Sequence, residues 1–138
     1  MKGRSFMNAD NQKINESSQI YNHYIEPNGN VSLPSHVREA VAVFSHRIRT
    51  EFHNRILQII LYGSYARGDY HAESDVDILI LTTDESWDIK KQIMDTGFDL
   101  YPEYGVFISA KVMSLDRFQS QSGFLFIKEV TREGVALV

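Results

Sequence analysis

The sequence predicts a two-layer α/β fold, with a mixed sheet of three to five strands and helices on one side. Two apolar runs of strand length, Ile56–Tyr62 and Val76–Leu81, are bounded by glycine and polar residues, as buried strands are. Segments with apolar residues at helical spacing precede and follow these runs. A chain of 138 residues can bury one core but not two, so we expect a single domain over residues 31–138.

Composition narrows the classes of function. The formal net charge of −4 gives no electrostatic footprint for nucleic acid, which argues against a protein that binds along a duplex. The absence of cysteine excludes disulfides and thiol chemistry and is typical of a reducing compartment. No apolar run is long enough to span a bilayer. We therefore expect a cytoplasmic protein that does not insert into membranes.

Residues 1–30 are rich in Asn, Gln, Ser and Lys and show no sustained periodicity. We expect a polar, partly disordered N-terminal arm, anchored in part by Tyr21, Tyr24 and Ile25. Pro27-Asn28-Gly29 predicts a turn before the domain.

The domain begins with a predicted helix at Leu33-Pro34-Ser35, capped by Ser32 or Ser35, because proline is tolerated in the first helical turn. The apolar positions that follow recur every three or four residues and so form one stripe facing the sheet. They are Val37, Val41, Phe44, Ile48 and Phe52.

The strand Ile56–Tyr62 ends at Gly63-Ser64 and turns directly into a short predicted helix. The start of a helix leaves backbone N–H groups unpaired, so a turn of this kind is a candidate phosphate site. Gly63 allows the tight turn and the close approach of a phosphate, and the Ser64 hydroxyl adds a donor.

The following strand, Val76–Leu81, carries two carboxylates at its start, Asp75 and Asp77. Side chains along a strand alternate between faces, so these two project from the same edge while Val76 points into the core. Adjacent carboxylates repel each other, and a cation between them relieves that cost. Mg²⁺ prefers oxygen ligands and substrate phosphates, so the pair and the preceding turn together predict nucleotide chemistry.

A second long helix is predicted after this strand. Thr82 and Glu85 have the spacing of a capping box, and the helix should run to about Leu100, before Pro102. Residues 105–113 are then strand-like.

Two further helices and a last strand complete the predicted order. Ser114 is expected to cap a short helix, and Ser122 is expected to cap another that runs from Gly123 to about Arg132. Gly134 is typical of a residue that follows a helix, and an apolar run, Val135–Val138, comes after it.

The run Gly63-Ser64-Tyr65-Ala66-Arg67-Gly68 and the later Asp75-x-Asp77 resemble the signature of the DNA polymerase beta-like nucleotidyltransferase superfamily. The likeness extends from about Leu33 to the C-terminus and is greatest to the small stand-alone members called minimal nucleotidyltransferases. It implies the two-layer fold of that superfamily. It also implies Mg²⁺-dependent transfer of a nucleoside monophosphate, AMP from ATP, to a hydroxyl acceptor.

The resemblance also implies roles for the motif residues. Gly63 and Ser64 would bind the β- and γ-phosphates, and Asp75 and Asp77 would be the catalytic ligands of one or two Mg²⁺ ions. Two further residues fall among the expected nucleotide-binding positions. Arg67 either contacts a phosphate or pairs on the surface with Asp69 or Glu73, and Ser74 caps or orients the carboxylate pair.

The family's third carboxylate, on the strand after the second helix, has no counterpart here, because residues 106–113 contain neither Asp nor Glu. Ser109 is the best candidate for that position, and Lys111 is the second. Three interpretations remain open: Ser109 and water complete the metal shell, Asp69 or Glu73 substitutes, or the chain binds nucleotide without transferring it.

Members of this size often pair with a helical HEPN protein as the antitoxin half of a toxin–antitoxin couple, so the resemblance implies a HEPN-type partner modified on a tyrosine. One alternative is a catalytically silent antitoxin that acts by contact. Another is a small-molecule nucleotidyltransferase for an aminoglycoside or a sugar, although 138 residues leave little room for the extra helical domain of such enzymes. A homo-oligomer is compatible with each.

Overall fold

The computed structural model describes residues 5–7, 13–15 and 31–137. In chain order the elements are β1 (Ser5–Met7), β2 (Lys13–Asn15), α1 (Ser35–Phe52), a 3-10 turn (His53–Arg55), β3 (Ile56–Tyr62), α2 (Ser64–Arg67), β4 (Val76–Thr82), α3 (Trp87–Asp99), α4 (Tyr101–Tyr104), β5 (Ile108–Ser114), α5 (Leu115–Ser120), α6 (Leu125–Glu133) and β6 (Val135–Leu137). β1 and β2 pair with each other. The rest of the predicted N-terminal arm over residues 1–30 lies outside the described residues.

One mixed sheet organises the described part of the domain, in the order β5-β4-β3-β6. Its central strand β3 runs antiparallel to both β4 and β6, whereas β4 and β5 are parallel. The parallel pair needs a crossover connection, and α3 with α4 supplies it. The predicted α/β class with a mixed sheet is confirmed.

Helices cover both faces of this sheet, so the prediction of helices on one side is wrong. On one face Ile78 and Ile80 pack with residues of α1 and α3, including Phe44 and Ile89. On the other face Ile60, Leu79 and Leu81 pack against α5 and α6, through Phe118, Ile127 and Val130 among others. Strands that are apolar on both sides are typical of sheets buried on both faces, and that signal was present in β3 and β4.

Three of the four predicted helix caps are not formed. Pro34, not Ser32 or Ser35, precedes α1; α3 begins at Trp87 after Ser86; and α6 begins at Leu125 after Phe124, beyond Ser122. The capping box does not form because Thr82 is buried in β4. In addition, Glu85 accepts a hydrogen bond from the Ser114 N–H, at 2.9 Å, and so is not available to cap α3. Only Ser114 acts as predicted, with its hydroxyl accepting from the Arg117 N–H at 3.1 Å. Within the described residues, no helix is long and apolar enough to cross a membrane.

Candidate functional site

A cleft of about 560 Å³ opens where β3 ends and β4 begins. The antiparallel register places Tyr62, the last residue of β3, opposite Asp77. The turn after β3, the loop before β4 and the last turns of α6 therefore meet in one place. The cleft is lined by Tyr62, Gly63, Ser64, Arg67, Asp69, His71, Ser74, Asp75, Asp77, Glu129 and Glu133.

The backbone at Gly63 lies directly against the carboxylate of Asp77. A Cβ atom at position 63 would stand 2.3 Å from Asp77 Oδ2, and Gly63 has φ +80°. A side chain is therefore excluded both by space and by the backbone conformation. This contact joins the predicted phosphate-binding turn to the predicted metal-binding pair.

The helix after the turn, α2, is a single turn of four residues. The Arg67 N–H donates to the Gly63 carbonyl at 3.0 Å, and Gly68 ends the helix with φ +89°. A helix this short has little macrodipole, because the macrodipole sums over many aligned peptide groups. Any attraction for phosphate here must come from individual donors, namely the turn N–H groups, the Ser64 hydroxyl and Arg67.

Asp75 and Asp77 both line the cleft, and Val76 between them is buried in the core. Burial raises the pKa of the Asp77 carboxyl, and the charge of Asp75 raises it further, against the opposing effects of Arg67 and Lys111. The protein thus holds two carboxylates whose mutual repulsion it does not fully compensate. A divalent cation would do so.

The carboxylate oxygens of Asp75 and Asp77 are ligands of the kind that Mg²⁺ prefers. The described residues contain no group of three or more His, Cys, Asp or Glu side chains that could hold a metal ion. Asp75 and Asp77 would therefore supply part of a shell, and water and substrate phosphates would supply the rest. Mg²⁺ is usually bound in this way, through one or two carboxylates together with phosphates.

Ser109 is the residue that β5 places beside the carboxylate pair. The parallel register pairs Ser109 with Asp77, and the Ser109 side chain is exposed. Lys111, two residues along, lies on the same face of the strand, with its ammonium 5.3 Å from the centre of the Phe126 ring. This part of β5 therefore offers a hydroxyl and an ammonium, and no carboxylate.

The two acids that could replace the missing third carboxylate, Asp69 and Glu73, lie in different places. Asp69 lines the cleft, but its Oδ2 accepts from Arg67 Nε at 3.1 Å, which is the surface pairing that was the alternative for Arg67. Glu73 lies beside a smaller hollow that it shares with Asp75 and Tyr101. Neither acid takes the position beside Asp77 that the register assigns to Ser109.

The loop between α2 and β4 is held by local contacts. The Ser74 hydroxyl accepts from the His71 N–H at 2.9 Å, and the Ser74 N–H donates to the His71 carbonyl at 3.0 Å. The ring of Tyr65, which is buried, stacks on Tyr70 with 4.3 Å between centroids. Ser74 therefore stabilises the loop that precedes Asp75.

Two acids of α6, Glu129 and Glu133, enter the cleft and were not anticipated from the sequence. Glu133 Oε1 accepts from the Gly63 N–H at 3.1 Å and from Arg67 Nη1 at 3.0 Å. Only the packing of α6 on the sheet brings these acids to a turn about seventy positions earlier. Their i, i+4 spacing on a helix was visible in the sequence, but nothing local related it to Gly63.

A family model described as nucleotidyltransferase domain matches residues 44–131. Two Methanocaldococcus jannaschii proteins that are named as candidate protein adenylyltransferases are similar in sequence. One is 39% identical over 99 residues, covering 72% of this chain and 95% of that protein. The other is 34% identical over 98 residues, covering 70% and 94%.

A solved structure is similar in fold. It is described as a crystal structure of a toxin-antitoxin with AMP-PNP, and it superposes with a TM-score of 0.50 at 20% sequence identity. The match covers 70% of this chain and 71% of that one.

Proposed function

This chain belongs to the nucleotidyltransferase domain family and is a nucleotidyltransferase, and from that premise we propose that it transfers AMP from Mg²⁺-bound ATP to a hydroxyl group of a partner protein. The observation that carries the proposal is the contact between the Gly63 backbone and the Asp77 carboxylate. The turn after β3 and the carboxylate pair share one cleft, which supports phosphate binding and metal binding at the same site.

Each residue of the cleft has a proposed task. Gly63 and Ser64 bind the β- and γ-phosphates of ATP, and Arg67 adds a positive charge beside these phosphates. Ser74 keeps Asp75 in place. Asp75 and Asp77 hold Mg²⁺, which when bound neutralises phosphate charge and polarises the α-phosphoryl group. Phosphoryl transfer depends mainly on such positioning and charge neutralisation.

The reaction proceeds by displacement at the α-phosphorus. The acceptor oxygen forms a bond to that phosphorus, the bond to the oxygen bridging the α- and β-phosphorus atoms breaks, and pyrophosphate leaves with the bonding electrons. Since β5 places Ser109 and not an acid beside Asp77, the proton of the acceptor hydroxyl passes to water. Ser109 lies where it can hydrogen-bond that water or complete the metal shell.

The acceptor class is proposed from the relatives. Both Methanocaldococcus jannaschii proteins carry the name of protein adenylyltransferases, and this chain spans 94% or more of their length. The similar solved structure is of a toxin-antitoxin with AMP-PNP. These names support a protein acceptor, and we extend the proposal to a tyrosine of a HEPN-type toxin. The cytoplasmic location stays a prediction.

The direct test is transfer of label from α-labelled ATP in the presence of Mg²⁺ to a co-expressed partner protein, with intact mass spectrometry to count the AMP groups added. Changing both Asp75→Asn and Asp77→Asn should lower the transfer rate at least about 100-fold, because the metal loses its protein ligands. Asp99→Asn is a suitable control, since Asp99 is an exposed residue at the end of α3 and does not line the cleft.

The outcomes separate the competing functions. Undiminished labelling by the double variant would refute the proposal. A partner that is neutralised by the double variant with no change in mass would indicate a silent antitoxin that acts by contact. Labelling of an aminoglycoside or a sugar with no labelling of protein would indicate a small-molecule enzyme.

A further inference from the structure

The carboxylate of Glu133 occupies hydrogen-bond donors of the turn that follows β3. Glu133 Oε1 accepts from the Gly63 N–H at 3.1 Å and from Arg67 Nη1 at 3.0 Å. One donor is backbone and the other is a guanidinium, and both converge on a single anionic oxygen. Phosphate oxygens are bound by this same combination of donors in proteins.

The contact is shielded from solvent on the side of Glu133 and open on the side of Arg67. The side chain of Glu133 is 13% exposed, whereas that of Arg67 is 46% exposed. The second oxygen, Oε2, lies 3.7 Å from Arg132 Nη2, which is beyond hydrogen-bond distance. The first oxygen therefore makes the short contacts, and Glu133 and both of its donors line the cleft.

A backbone N–H group donates one hydrogen. When Glu133 accepts from Gly63, the same donor cannot serve a phosphate oxygen at full strength, and a carboxylate and a phosphate placed side by side also repel each other. Glu133 already raises the pKa of Asp77 by its charge, so its influence reaches the carboxylate pair. Glu133 in its present position and a phosphate bound at Gly63 therefore compete for the same donor.

We propose that Glu133 is a built-in competitor of the nucleotide's phosphate tail: it holds Gly63 and Arg67 in the absence of nucleotide, and the triphosphate displaces it on binding. The inference rests on the proposed function, because it assumes that Gly63 and Arg67 face phosphates. It adds that Glu133, a residue of α6 outside the motif, determines how tightly a triphosphate binds and how readily pyrophosphate leaves.

The test measures equilibrium binding rather than activity. Mg²⁺-ATP and Mg²⁺-tripolyphosphate, which lacks a base, are titrated by calorimetry into the full chain and into Glu133→Gln. Gln keeps the size of the side chain and removes the charge, so both dissociation constants should fall about 5- to 10-fold, as expected when a charge-assisted hydrogen bond no longer has to be broken. An equal gain in affinity for both ligands would show that Glu133 acts on the phosphates, because the phosphates are the part that the two ligands share.

Glu129→Gln is the matched control. Glu129 lines the same cleft one helical turn earlier, and within the described residues no hydrogen bond joins it to Gly63 or Arg67. It should change both constants less than about 2-fold, by long-range charge alone. Thermal unfolding of both variants checks that the fold is kept.

Each result has one meaning. Equal or weaker binding by Glu133→Gln, with binding by the unchanged chain intact, overturns the competitor role and leaves the proposed function standing. A similar gain from Glu129→Gln also overturns it, because general charge would then be the cause. Failure of the unchanged chain and of Glu133→Gln alike to bind either ligand overturns both this inference and the phosphate roles on which it rests.

Discussion

The two ends of strand β4 carry acids in opposite circumstances. At the start of the strand, Asp75 and Asp77 lie close together, and the pKa of Asp77 is raised by burial and by Asp75. Just beyond the other end, Asp84 and Glu85 are each surrounded by donors. Asp84 accepts from Arg55 through both oxygens, at 3.2 Å and 3.1 Å.

Glu85 is the more strongly bound of the second pair. It accepts from the Ser114 N–H at 2.9 Å and from Arg117 at 2.7 Å, and it pairs with Lys90 at 3.1 Å. Burial alone would raise the pKa of the Glu85 carboxyl, but these hydrogen bonds outweigh it and lower the pKa to about 2. The charge at this end of the strand stabilises the fold.

This contrast gives a criterion that separates structural acids from candidate functional acids in this chain. An acid that serves the fold has found its donors within the protein, whereas an acid that serves chemistry is left short of them until a ligand arrives. On that criterion Asp75 and Asp77 fit the proposed role of metal ligands, and Glu85 fits a structural role.

The largest effect should come from Gly63→Ala. The new methyl group would stand 2.3 Å from Asp77 Oδ2, and φ +80° is unfavourable for alanine, so the carboxylate must move out of position. We expect AMP transfer to fall at least about 100-fold, measured as the initial rate with α-labelled ATP.

Gly68→Ala provides the matched control for that change. Gly68 has a similar φ of +89°, but a Cβ there would meet nothing within 4 Å. It should cost about 1 kcal/mol of stability from backbone strain and much less activity. Equal loss of activity in the two variants would show that strain, and not contact with Asp77, is responsible.

The next effect is on stability, at the opposite end of β4. The pKa of Glu85 in the folded chain is about 2, below the ordinary value of 4.5, so its ionised form stabilises the fold above pH 4.5. This contribution is lost as the pH falls from 4.5 toward 2. Glu85→Gln should therefore lower the free energy of unfolding by about 2 to 3 kcal/mol at pH 7 and by much less near pH 2.

Urea denaturation at pH 7 and at about pH 2.5 measures this difference. Glu103→Gln on the exposed short helix α4 is the control and should change the free energy of unfolding by less than about 0.5 kcal/mol at both values. If Glu85→Gln lowers the free energy of unfolding equally at both pH values, the effect does not depend on the charge of Glu85.

The smallest expected effect is a gain in thermal stability. Because the pKa of Asp77 is raised above 3.8 in the folded chain, its charge costs stability at neutral pH, and the cost is relieved as the pH falls toward 3.8. Asp77→Asn should thus raise the melting temperature in the presence of a chelator, and added Mg²⁺ should stabilise the unchanged chain but not the variant. Scanning calorimetry with EDTA and with Mg²⁺ checks both statements, and a variant that melts lower in EDTA would contradict the first.

Local patterns were sufficient to predict much of the site. The turn at Gly63 and the shared edge of Asp75 and Asp77 follow from turn chemistry and from strand periodicity, which are properties of a few neighbouring residues. The position of Ser109 needed only the correct parallel register of β5 against β4.

What could not be predicted depends on distant partners. Glu133 reaches Gly63 across 70 positions, and no local pattern indicates that contact. The capping box failed for the same reason, since Glu85 found a better donor in Ser114, 29 positions away. Both α5 and α6 were predicted as helices, but no local pattern showed which face of the sheet they would cover, although β3 and β4 were apolar enough to indicate a second layer.

The strand order has a consequence for synthesis of the chain. β6 pairs with the central strand β3 and follows directly after the helix that carries Glu133, whereas the turn at Gly63 leaves the ribosome about seventy residues earlier. A nascent polypeptide that has exposed both aspartates still lacks residues 129–137, and with them one wall of the cleft and a neighbour for β3. The cleft should therefore be complete only after residues 129–137 have left the ribosome, and not at the point where both aspartates have.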